Sequence, residues 1–172
     1  MDLTLSRTGD YAVRAAIALA GSWDREGYRT IRWVADEMEL PLSFTPQILG
    51  LLSRAGLAES RAGRGGGYRL SRSPAEISML EVVEAAEGHL AADRCTLSGG
   101  PCRWDEGCAV HPTWVLVSES VRESLAKVSL DEVARVDRGL AAGIATDPKP
   151  SRSHVESRVR SREAAAGTAP AG

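Results

Sequence analysis

Four glycines in five residues, Gly63-Arg64-Gly65-Gly66-Gly67, constrain this chain more than any other feature. Such a run cannot continue a helix, and it has too little side chain to fill a core. Leu57-Ala58-Glu59-Ser60-Arg61 precedes it and Tyr68-Arg69-Leu70 follows it. Two short strand candidates around a glycine turn predict a β-hairpin. Upstream, residues 8–20 are Ala-rich, with Val13, Ile17 and Ala20 at helical spacing. A second helix is expected over residues 31–38, with Thr30 as N-cap and Glu39-Leu40-Pro41 as breaker. A third helix follows Ser43, with Pro46 in its first turn and Gly56 as its stop. Two helices joined by a tight turn, with a hairpin after the second, predict a winged helix-turn-helix.

Downstream, Ser78-Met79-Leu80-Glu81 is a capping box opening a helix to about residue 87. Residues 88–108 hold Gly, Pro and all three cysteines and read as a loop. Pro112 starts a long helix with Trp114, Val117, Val121, Leu125 and Val128 on one face. A second capping box, Ser129 to Glu132, opens a short last helix. From about Ala145 the apolar period ends, and a disordered tail is expected. The fold class is therefore mainly α with a small β-hairpin wing. Expected divisions are a helix-turn-helix domain (1–88), a cysteine loop (89–111), a dimerisation helix with a short C-terminal helix (112–144) and the tail (145–172).

The chain has 172 residues, 43% apolar, which is enough to bury a core. Net charge is −2, so any nucleic-acid footprint must be a local patch. Such a patch exists: Arg61, Arg64, Arg69 and Arg72 occur with no acid between them. Glycine lets backbone amides of Gly65 and Gly66 approach phosphate, while Arg64 can reach a minor groove and Arg61 and Arg69 anchor the wing. The bland alternative is a solvated surface hairpin. A dinucleotide fingerprint fails at Tyr68, and a phosphate-binding loop lacks its Gly-Lys-Ser/Thr. At the start of the third helix, Ser43, Phe44, Thr45 and Gln47 are the candidates for base contact, Gln47 by pairing with adenine. Phe44 could instead be core and Ser43 only a cap. The first twenty residues make a poor signal peptide, because Asp2, Asp10 and Arg14 interrupt it, and no apolar run is long enough for a bilayer. A cytoplasmic location is expected.

The cysteines stand as Cys95-x6-Cys102-x5-Cys108-x2-His111. Three thiolates and an imidazole can converge on one soft metal centre. Zinc would accept a Cys3His set, and an iron–sulfur cluster would also accept it, with the long spacings favouring the cluster. Unrelated cysteines or one redox pair remain the plain alternative. Asp10 is a second candidate fourth ligand. No Cys-x-x-Cys pair and no nucleophile–base pair is evident, so an enzyme is not expected.

Together, Gly9-Asp10-Tyr11-Ala12-Val13-Arg14, Ala55-Gly56-Leu57 leading to Gly65-Gly66-Gly67-Tyr68-Arg69-Leu70, residues 77–88, the three cysteines and Val128-Ser129-Leu130-Asp131-Glu132-Val133 resemble the Rrf-two family of bacterial regulators. The resemblance covers about residues 1–140. It implies a homodimer, a winged helix on palindromic operator DNA, a long interface helix and an iron–sulfur cluster that tunes DNA binding. In the IscR type a His placed like His111 completes a 2Fe–2S site; in the NsrR type an Asp placed like Asp10, given by the partner subunit, completes a 4Fe–4S site. The 2Fe–2S reading with His111 is preferred. The first cysteine gap is one residue longer than in either type. Pro46 stands where the IscR type has a base-reading Glu, so its operator sequence does not transfer.

Overall fold

The computed structural model describes residues 4–90 and 108–144. The chain divides into two compact units, Met1–Arg135 and Val136–Gly172. In the first, α1 (Arg7–Gly21) is followed by α2 (Ile31–Glu37), α3 (Thr45–Arg54), β1 (Ala58–Arg61), β2 (Gly67–Leu70), a short 3-10 turn (Pro74–Glu76), α4 (Met79–Glu87) and α5 (His111–Ala126). The last helix, α6 (Leu130–Ala141), begins in the first unit and supplies most of the described residues of the second. Among the described residues, no helix is long and apolar enough to cross a membrane.

The α1 helix is central because its inner face is nearly all alanine. Ala12, Ala15 and Ala16 are buried, and small side chains let α3 and α4 approach closely. Ile48, Leu49 and Leu52 of α3, Val34 of α2, Val82 of α4 and Leu130 of α6 close the core. Truncating one of these to Ala costs about 2–5 kcal/mol. Ser6 caps α1 by accepting from the Gly9 amide at 3.2 Å, and its own amide donates to Glu87 Oε1 at 2.8 Å. That bond ties the start of α1 to the end of α4.

Local signals explain most element ends. Thr30 Oγ1 accepts from the Trp33 amide at 3.1 Å, as an N-cap should. Both halves of the Ser78–Glu81 capping box form. At α6, Ser129 Oγ accepts from the Glu132 amide at 3.2 Å. Ser78 and Ser129 also form an antiparallel bridge, which docks the start of α6 on the start of α4. Gly56, with φ +72°, ends α3, and Leu57 N donates back to Leu52 O at 2.9 Å.

Two expectations shift. The helix expected to follow Ser43 begins at Thr45, with Phe44 at the cap position and no side-chain cap. Of the apolar face expected on α5, Val128 lies past the helix end, where its carbonyl accepts from Met79 N at 2.9 Å. The 3-10 turn at Pro74 carried no expectation. The expected tail (145–172) and most of the cysteine loop, including Cys95 and Cys102, lie outside the described residues.

Candidate nucleic-acid interface

The turn between α2 and α3 is built around one carbonyl. Pro41 O accepts from the amides of Phe44 (2.9 Å) and Thr45 (3.1 Å) and from Thr45 Oγ1 (3.0 Å). Before it, Leu40 N donates to Ala35 O at 2.8 Å, closing α2 with Glu39 in the left-handed region at φ +52°. Leu40 is buried beneath this closure. The turn is thus held from both sides, and it fixes the angle at which α3 leaves the body.

Thr45 is only 1% exposed and its hydroxyl is spent on Pro41. It cannot touch a base, which corrects the expectation drawn from its position. Ser43, Phe44 and Gln47 are exposed, as is Pro46. Phe44 is not core; it is 44% exposed and meets Tyr11 with ring centroids 6.4 Å apart.

The hairpin pairs Ala58 with Leu70, Glu59 with Arg69, Ser60 with Tyr68 and Arg61 with Gly67. A bridge from the α1–α2 connection extends it: Arg29 and Tyr68 exchange backbone bonds, both 2.8 Å. Glycine is required where these strands meet. A Cβ on Gly67, whose φ is +143°, would lie 2.2 Å from Arg29 O. A Cβ on Gly66 would lie 2.1 Å from Arg61 O.

Side chains brace the same base. Arg69 Nε donates to Glu59 Oε1, Tyr28 Oη donates to that oxygen at 3.0 Å, and the Arg69 guanidinium lies 4.9 Å from the Tyr28 ring centroid. The hydrogen bond from Arg69, then that from Tyr28, holds the Glu59 carboxyl below its ordinary value, and Glu59 raises Arg69 in return. Arg69 is thus tied to the hairpin through its Nε, while its side chain stays half exposed. Arg61 lies 5.9 Å from the Tyr28 ring centroid. Among the described residues, Arg61 and Arg64 have no carboxylate partner, and both are exposed.

Beyond this surface, α5 has no buried residue, and Leu116 is 64% exposed. A largely apolar groove of about 1000 Å³ runs between α1, α4 and α5, lined by Leu5, Val13, Met79, Val83, Leu116, Val117, Val121 and Leu125 among others. Trp114 is not on this wall. Glu84 Oε1 joins three segments: it accepts from Leu90 N at 3.1 Å and from Arg122 Nη1, and it lies 2.9 Å from His89 Nδ1. The first residues of the cysteine loop are thereby tied to α5. On the far side of the loop, His111 N donates to Cys108 O at 3.2 Å, so these two candidate ligands share one turn. Asp10 Oδ1 accepts from Arg14 Nε at 3.0 Å. Among the described residues no three His, Cys, Asp or Glu side chains converge on a metal position; two of the three cysteines lie outside them.

A second helix with an exposed leading edge, flanked by a glycine-tipped wing with free arginines, defines a winged helix-turn-helix DNA-binding regulator. Residues 5–136 match the family model Rrf2, described as an iron-dependent transcriptional regulator. The chain belongs to the Rrf2 family. It is 36% identical over 136 residues to the HTH-type transcriptional regulator ORF2 of Azotobacter vinelandii, covering 78% of this chain and 82% of that protein. It is 31% identical over 133 residues to the HTH-type transcriptional regulator IscR of Xenorhabdus nematophila, covering 77% and 80%. The structure of CymR, the global cysteine regulator of B. subtilis, superposes with a TM-score of 0.64 at 27% identity, covering 78% of this chain and 98% of CymR. These relatives are transcriptional regulators, not enzymes.

Proposed function

We propose that the chain is a cytoplasmic, homodimeric transcriptional repressor whose operator affinity depends on an iron–sulfur cluster. The observation that carries the dimer is α5: sixteen residues of helix with no buried side chain beside an open apolar groove. A surface of that kind is stable in water when a second copy covers it. Two α3 helices then face successive major grooves of a pseudo-palindrome, about 34 Å apart. Ser43 and Gln47 read base edges, and Arg61 and Arg64 hold phosphate or the minor groove.

Cys95, Cys102, Cys108 and His111 would hold the cluster, with 2Fe–2S preferred. The donor set fits: thiolates are the usual ligands, and the turn shared by Cys108 and His111 puts one thiol and one imidazole at the same end of the loop. Asp10 fits less well, because its carboxylate is engaged with Arg14 in its own helix. Such a group, when bound, supplies a labile, redox-active iron centre. Glu84 ties the loop's entry to α5 through Arg122, so loop and interface helix share a mechanical link.

Anaerobic purification with an absorbance spectrum and iron, sulfide and zinc analysis tests the reading. Colour with matched iron and sulfide supports it. A colourless protein with one zinc per chain would make the site structural. Gel shifts complete the test: cluster-loaded and cluster-free protein should differ in operator affinity by about 1–3 kcal/mol, and equal affinity removes the sensing role.

A further inference from the structure

The leading edge of α3 is unusual in what it lacks. Leu42, Ser43, Phe44, Pro46 and Gln47 are all exposed, and none carries a charge. Leu42 and Phe44 are 45% and 44% exposed, although the neighbouring hydroxyl of Thr45 is turned inward onto Pro41. The turn is hydrogen-bonded from both sides, and these two apolar side chains stand part exposed on it, Phe44 with one side towards Tyr11.

Duplex DNA offers one apolar feature at the base edges of the major groove, the thymine 5-methyl group. Guanine is most often read by Arg or Lys, and this edge has neither. Charge complementarity places the same surface on DNA: the wing supplies Arg61 and Arg64 for the phosphates, which leaves the edge free to be neutral. We propose that Leu42 and Phe44 are specificity-determining residues that pack on thymine methyl groups. The half-site is thereby selected for A·T pairs, with Gln47 available to the adenine. The proposal rests on α3 being the reading helix of the function proposed above.

The test uses the full chain. In-vitro selection from random duplexes yields a preferred sequence, which is then remade with deoxyuridine replacing thymidine one position at a time. This removes only the methyl group. Affinity is expected to fall about fourfold at one or two positions per half-site, the value for uncovering one methyl-sized group. Phe44→Ala or Leu42→Ala should bind thymidine and deoxyuridine duplexes equally at the matching position, with the salt dependence of wild type. Each variant checks the other should one fold poorly. Equal affinity for both bases at every position, with sequence selection intact, overturns methyl reading but leaves DNA binding standing. Recovery of no enriched sequence overturns α3 as the reading helix, and methyl reading with it.

Discussion

Gly67 and Arg64 lie on the same hairpin and do opposite work. Gly67 has no room for a Cβ, since Arg29 O occupies the place, and its φ of +143° suits only glycine. Gly67→Ala is expected to cost about 1–3 kcal/mol by breaking the Arg29–Tyr68 bridge, read as a lowered melting temperature with weakened DNA binding. Among the described residues, Arg64 has no ion-pair partner, and it is exposed. Arg64→Ala should leave the melting temperature unchanged while lowering the slope of log affinity against log salt by about 1; an unchanged slope would mean that the wing does not reach phosphate.

At the scale of elements, the α4 capping box shows how charge enters stability. Burial pushes the Glu81 carboxyl up, but the amide and hydroxyl of Ser78 and the Arg72 guanidinium outweigh it, and the net value lies below the ordinary 4.5. Its stabilising effect is therefore present above 4.5 and is lost as pH falls through the lowered folded value. Glu81→Gln should destabilise by about 0.5–1 kcal/mol at neutral pH, and the two melting curves should converge in acid; a gap that persists there contradicts the charge argument. That box was legible because both partners sit within four residues, as were the Thr30 cap, the Gly56 stop and the glycine hairpin. The inward turn of Thr45 was not legible, because Pro41 captures its hydroxyl only once the turn has closed. Nor was the Tyr28–Glu59–Arg69 brace, whose bonded pairs lie 31 and 10 residues apart in the chain. Long-range partners leave no periodic trace, so nothing in the sequence pairs Arg69 with Glu59. The regulator class was readable from the order of elements, and the proposed ligand set from cysteine spacing and resemblance.

For the whole molecule, the α5 surface and the cysteine site can be altered one at a time. Leu116→Glu places a charge on the open apolar side and should give a monomer by light scattering, with operator affinity reduced by tenfold or more as the second half-site contact is lost. A variant that stays dimeric puts the interface elsewhere. Cys102→Ala should purify as a dimer without visible colour and with little iron; unchanged colour removes Cys102 from the ligand set.

Were α5 covered by a second copy, as proposed above, association and stability would become one equilibrium, and resistance to unfolding would rise with copy number. Chains made in excess of the dissociation constant would survive. Below it, the sixteen residues of α5 would present an open apolar segment to proteases. Degradation would then be fastest when the regulator is scarce, and its abundance would fall through a threshold rather than fade in proportion to synthesis.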